Sequence, residues 1–222
     1  MIRAVIICCG LLALVRPSAA QSIASRIEVT AGGGLLGGAN LGSDDANLRA
    51  NDPGRRPFRL FSADSRIARG PALHLRVLVP VNGRVAVEGG LTVSHPDLRT
   101  SIGMDAEGAP PADVAERLDQ YIVDGSLLVM LDGLRMGNAL PFVAVGGGYL
   151  RQLHEGQMVI EHGQAYYAGG GVRYPILQRS QGFVRAAGLR ADVRAVMLRG
   201  GVALDNRPRP HAAISGGAFI GF

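Results

Sequence analysis

The residues best suited to chemistry in this chain are few and scattered. "SHPD", Ser94 to Asp97, gathers a hydroxyl, an imidazole and a carboxylate. These are the groups of a nucleophile, its base and the base's orienter, provided that the fold turns them toward one another. "LHEGQMVIEHG" sets His154 and His162 symmetrically about Met158, with Glu155 and Glu161 beside them. A hairpin centred on Met158 would put the two imidazoles opposite each other, where with the carboxylates they would suit a divalent metal. Two solvated histidines in a turn are the alternative. His211 and Ser215 are separated by roughly 13 Å along an extended strand, too far for a base to reach its nucleophile. Arg49, Arg55, Arg56, Arg59, Arg66 and Arg69 enrich one polar segment in groups that pair well with phosphate, as in lipopolysaccharide, or simply face water. A further set of charges stands isolated among apolar residues: Glu28, Arg76, Glu88, Asp124, Arg173, Arg190, Asp192 and Arg194. No catalytic residue, metal site or cofactor is expected from these patterns.

The elements that position these residues begin after a leader. "MIRAVIICCGLLALVRPSAAQS" has Arg3 at its start, an apolar run from Ala4 to Val15, and small residues at Ser18-Ala19-Ala20. This is the layout of a signal peptide over 1–20, cleaved after Ala20. An apolar run of about 12 residues is too short to span a ~30 Å hydrocarbon core as a helix. Both cysteines, Cys8 and Cys9, fall in the leader, so an exported chain of this kind relies on packing and hydrogen bonds. All 23 basic residues are arginine. Removing Arg3 and Arg16 with the leader lowers the net charge from +5 to +3, too mild to point to nucleic acid.

From residue 21 to the end one domain is expected. Alternating, Gly-, Val- and Leu-rich segments run over Arg26–Leu36, Pro71–Val81, Arg84–Ser94, Gln120–Leu131, Leu140–Gln152, Gln164–Ile176, Phe183–Leu198 and Pro210–Phe222. Most are longer than the ~5–6 residues of ordinary strands and match the ~9–11 residues of a tilted membrane strand. Their connections alternate. The 37–70 and 95–119 segments are long, 153–163 and 199–209 are of medium length, and Asn82-Gly83, 132–139 and 177–182 are short. Asn-Gly is a strong hairpin signal. Long connections on one end and short ones on the other describe an up-and-down antiparallel barrel with outer loops and inner turns. Within the second long loop, Pro110–Gln120 reads as a short helix with proline in its first turn.

Residues two apart share a face. Leu73, Leu75, Val77 and Val79 oppose His74 and Arg76; Val85, Val87, Leu91 and Val93 oppose Glu88 and Thr92; Leu189, Ala191, Val193 and Ala195 oppose Arg190, Asp192 and Arg194. A soluble barrel binding an apolar ligand would turn the apolar faces inward; a membrane barrel turns them to lipid. The membrane form is favoured by a sparse polar face, by charges that balance and must pair when enclosed, and by aromatics near strand ends. Tyr121, Tyr149, Tyr166 and Tyr167 lie toward the long loops, and Phe142, Tyr174, Phe183 and Phe222 toward the short turns. The Gly runs at 32–34, 146–148 and 169–171 are expected to curve the wall and leave room for arginine side chains.

The chain resembles the small eight-stranded outer-membrane β-barrels of Gram-negative bacteria, the OmpA transmembrane-domain and OmpX-like group. The resemblance rests on the leader, the strand count, the loop alternation and the C-terminal "HAAISGGAFIGF". It implies an all-β, eight-stranded transmembrane barrel in the bacterial outer membrane, among outer-membrane lipid and lipopolysaccharide. It also implies that Phe222 and Ile220 form the signal read by the outer-membrane assembly machinery. Trp is absent, and Phe219 lies on the face opposite Phe222; both depart from the family's pattern. The expected role is structural or interactive, through surface loops that meet a ligand, with no periplasmic domain after the barrel. A barrel enzyme modifying lipid A is the alternative, although the His-x-Ser pair of a lipid A deacylase of this fold has no counterpart here.

Overall fold

The computed structural model describes residues 26–48, 58–154, 159–202 and 208–222. The segment 1–20, expected to be a signal peptide, lies outside them. Among the described residues eleven strands follow in order: β1 (Glu28–Leu36), β2 (Ala39–Leu48), β3 (Phe58–Ile67), β4 (Gly70–Pro80), β5 (Val85–Ser94), β6 (Asp97–Gly103), β7 (Ala112–Met130), β8 (Leu140–His154), β9 (Ile160–Gln178), β10 (Ala186–Gly200) and β11 (Arg209–Gly221). Strands β1, β4, β5, β7, β8, β9, β10 and β11 close into an antiparallel ring, sealed where β1 pairs with β11. These eight are the segments expected from the alternation.

The two long segments are not open loops. Strands β2 and β3 form a hairpin, β3 pairs with β6, and β6 pairs with the Ala112–Arg117 part of β7. The result is a four-stranded sheet rising from the barrel rim. The helix expected over Pro110–Gln120 is replaced by the first half of β7. A helix of about ten residues is marginal alone, whereas β6 offers a ladder of partners from Asp97 to Ile102. Leu118, Gln120 and Ile122 then continue the two-residue alternation of the barrel wall and are all buried.

The apolar faces point outward. Leu73 is 70 % exposed, Val145 58 %, Val193 58 % and Ile214 58 %. The charged faces point into the lumen. This overturns the soluble-barrel alternative, which requires the reverse. On β10 the outward residues from Ala187 to Met197 cover roughly 25 Å of barrel height at ~3.3 Å per residue and a ~40° tilt, the thickness of a membrane belt.

Neighbouring strands crowd the inward glycines. A Cβ on Gly171 would lie 2.2 Å from the Ala191 carbonyl oxygen and 2.7 Å from the Phe142 ring; one on Gly169 would lie 2.2 Å from the Val193 oxygen and 3.0 Å from Arg194 Cγ. Neighbouring backbone is the first obstacle at both positions, with a ring or arginine stem behind it. Glycine is therefore required there by close approach.

Candidate functional site

All eight charged residues singled out in the sequence have their side chains enclosed in the lumen. They fall on alternate positions of β1, β4, β5, β7, β9 and β10, and the closed ring turns these positions inward. Glu88 is the hub and is fully buried. Its carboxylate accepts hydrogen bonds from Arg76 Nη1 at 3.1 Å, Arg194 Nη2 at 3.1 Å and Arg190 Nη2 at 3.2 Å, and a second, shorter one from Arg190 Nη1. Asp192 accepts from Arg190 at 2.9 and 3.0 Å and from Arg194 at 3.3 Å. Asp124 lies 3.9 Å from Arg76 and accepts a 2.7 Å hydrogen bond from the Tyr167 hydroxyl. Glu28 and Arg173 form a separate pair toward the inner end. Arg76, Arg190 and Arg194 thus face Glu88, Asp124 and Asp192 in a charge-balanced cluster, the condition for burying so many ions.

Aromatic rings complete the arginine shells, which the sequence reading missed. Arg173 sits 4.8 Å from the Phe219 ring centre, Arg190 4.7 Å from Phe142 and Arg194 4.5 Å from Tyr167. Phe142 and Tyr167, expected in the interfacial girdles, are therefore lumen residues, 1 % and 7 % exposed. The signal was available: Tyr166 and Tyr167 are adjacent, so only one of them can face lipid. Phe142 shares its parity with the buried Ala144. Tyr149, Tyr166, Tyr174 and Phe183 do face outward.

Apolar layers close the lumen above and below the ions. At the inner end Leu78, Ala86, Leu128, Met130, Leu140 and Phe142 pack together. At the outer end lie Ile122, Leu150, Ala165, Tyr167, Val196 and Leu198. A cavity between the ions and the outer layer is lined by His74, Arg76, Asp124, Tyr167 and Arg194 among others. Above the outer layer, Gln152 donates to Gln120 at 2.8 Å and accepts from the Val202 amide at 2.9 Å. The core of the rim sheet, Leu41, Ile67, Leu98 and Leu118, packs against Val202 over the mouth.

The rim groups considered for catalysis do not assemble. Ser94 is buried in the wall with no partner for its hydroxyl among the described residues. Its neighbour His95 turns the other way and meets Asp119 Oδ1 at 2.7 Å. Asp97 lies 3.8 Å from Arg99. His154 and His162 are not opposite each other. The register pairs His162 with Arg151, and the His154 amide bonds to the Val159 carbonyl. His154 meets Glu116 at 3.1 Å, and His162 makes a short hydrogen bond with the Tyr149 hydroxyl. The odd offset of the hairpin puts the two imidazoles on opposite faces of the wall, so the metal arrangement does not form. Glu155, Arg49, Arg55 and Arg56 lie outside the described residues. Arg59 is 3.8 Å from Asp45.

At the inner end Ile220 faces outward, 44 % exposed. Phe222 follows β11: its amide bonds to the Ile27 carbonyl at 3.0 Å and its ring lies 4.9 Å from Phe183.

No family model and no curated protein matches the sequence. Solved structures do match. Neisserial surface protein A is 11 % identical with a TM-score of 0.54, over 90 % of this chain and 98 % of that one. Outer membrane protein AlkL is 16 % identical with a TM-score of 0.41, over 94 % and 95 %. Ail, the attachment invasion locus protein of Yersinia pestis, is 12 % identical with a TM-score of 0.35, over 88 % and 99 %. At 11 % identity the likeness to the neisserial protein is one of fold, and it agrees with the closed antiparallel ring. The chain has the fold of the small eight-stranded outer-membrane β-barrel proteins.

Proposed function

We propose that the protein is a non-enzymatic outer-membrane barrel whose working surface is the four-stranded sheet β2–β3–β6–β7, which contacts a ligand or envelope component outside the cell. The observation that carries this reading is the order of the chain above the belt. The long connections form a sheet with its own apolar core. Arg209 ties its outer strand to β11 by donating to the carbonyls of Asn40 and Leu41, and Gly37 N–H bonds to the Ala212 carbonyl at 2.7 Å. A preorganised surface loses little entropy on binding. The lumen, filled by ions and two apolar layers, serves as a rigid pedestal. Phe222 and Ile220 serve as the address for the assembly machinery.

A lipid A-modifying enzyme is the second reading, favoured by the His95–Asp119 pair at the outer edge of the belt. One experiment separates the two. Replacing 40–66 by a short Asn-Gly turn should leave a heat-modifiable barrel but abolish a surface phenotype of the full-length protein, such as attachment to matrix or exclusion of large antibiotics. If that phenotype survives the replacement and His95→Ala instead abolishes a change in lipid A, the enzyme reading replaces the present one.

A further inference from the structure

We infer that the inner end of the β9–β10–β11–β1 wall holds an anionic glycerophospholipid of the inner leaflet, gripped at its phosphodiester by Arg179 and Arg185 with Arg26 beside them. The β9–β10 turn brings these groups together. The Arg179 amide donates to the Arg185 carbonyl at 2.7 Å, and Arg26 Nη1 donates to the same carbonyl at 3.3 Å. Arg179 and Arg185 are both exposed. None of the three has an ion pair among the described residues. Among the same residues the Arg179 side chain has no hydrogen bond, and Arg185 uses only Nε, on the Gly182 carbonyl at 3.2 Å. Both terminal nitrogens of Arg185 are thus left for a ligand. Setting the carboxylate that ends the chain at Phe222 against the three guanidinium groups still leaves the group at +2.

This quadrant differs from the other charged parts of the barrel. In the lumen every arginine of the ion cluster faces a carboxylate. On the inner turns, Arg84 pairs with Asp132 at 3.2 Å, and Arg135 stands alone on the β7–β8 turn with its Nε on the Gly137 carbonyl at 3.0 Å. Only the β9–β10 turn, among the described residues, sets two arginines across from each other at its neck. Like charges so placed repel. A phosphodiester between them removes the repulsion, and its two free oxygens match the planar fork of a guanidinium.

The depth is that of headgroups. Arg185 lies two residues beyond Ala187, the inner limit of the outward belt on β10. Its amide donates to the Gly221 carbonyl at 2.8 Å, which sets it beside Phe222, and the Phe222 amide continues the row to Ile27. Phe183, 81 % exposed, packs on Phe222, and Ile27 and Ile220 are exposed next to them. Aromatic rings of this kind sit at the membrane–water boundary. A soluble anionic polymer would meet the arginines and gain nothing from these apolar neighbours. A phospholipid uses both, with its phosphate on the guanidinium groups and its chains along Phe183, Phe222 and Ile220.

Native mass spectrometry of the full mature protein in detergent tests the site. The probes are phosphatidylglycerol and phosphatidylethanolamine with the same acyl chains. The wild-type protein should retain phosphatidylglycerol about tenfold better, the scale set by two basic residues at an anionic surface. Arg179→Gln/Arg185→Gln should remove that preference with heat-modifiable migration intact. Arg135→Gln, on another inner turn, should leave it. An undiminished preference in the double variant overturns the site. Equal retention of the two lipids by the wild-type protein overturns the headgroup assignment and needs no variant to fold. If the wild-type protein shows no lipid preference but sediments with purified peptidoglycan, and the double variant does not, the arginines serve that polymer and the lipid assignment falls.

Discussion

Replacing Glu88 by glutamine removes one charge and almost no volume. Three arginines donate to this carboxylate, and it is fully buried. In the native cluster, three guanidinium groups face three carboxylates. In Glu88→Gln, Arg190 and Arg194 keep Asp192, but Arg76 retains only Asp124 at 3.9 Å. One positive charge is left without compensation between two apolar layers. Removing one partner of a buried ionic group costs about 3–5 kcal/mol. With a urea dependence of roughly 2 kcal/mol per M, the unfolding midpoint in lipid vesicles should fall by about 2 M. The loss of the heat-modifiable band on a gel reads this directly. Glu88→Gln combined with Arg76→Gln restores the balance and should recover more than half of the loss, a coupling that contacting residues show and distant ones do not. If Glu88→Gln unfolds within about 0.5 kcal/mol of wild type, the lumen ions are solvated and the packed-pedestal argument fails.

Two further outcomes follow from the wall and its end. Gly171→Ala should lower the same midpoint by an amount equivalent to about 1–3 kcal/mol, because its Cβ has no room; Gly89→Ala, whose Cβ meets nothing within 4 Å, should change it by under ~0.5 kcal/mol. Phe222→Asp loses the contact with Phe183. It should reduce the folded fraction in cell membranes severalfold while the purified chain still refolds in detergent. Normal insertion in cells would remove the address role.

The wall strands were legible because each lies between two environments that differ sharply. A residue of β10 faces either lipid or a sealed, ion-filled lumen, so its parity is unambiguous from Ala187 to Met197. The identity of the lumen-facing ions was legible for the same reason. Their partners were not, because pairing across a lumen depends on strand stagger, which no local spacing records. Arg76 and Glu88 meet across adjacent strands, but Arg190 reaches Glu88 from a strand that does not pair with β5, and Arg173 meets Glu28 in the same way.

The rim sheet was illegible for the opposite reason. Asn40 to Leu48 on β2 reads NLGSDDANL, with no alternation, because most of this strand stands in water and has no face to hide. Its core draws one apolar residue from each of its four strands, Leu41, Ile67, Leu98 and Leu118, too few in any one segment to set a period. Leu118 is the exception that links the two regions, since it also continues the inward parity of Gln120 and Ile122 along β7. A strand already fixed in the wall cannot change to a helix three residues beyond it without giving up that shared face. The order of the rim therefore propagates from the barrel. Strand β7 carries the wall's register upward, β6 and β3 copy it, and β2 is held last, by the ladder with β3 on one side and Arg209 on the other.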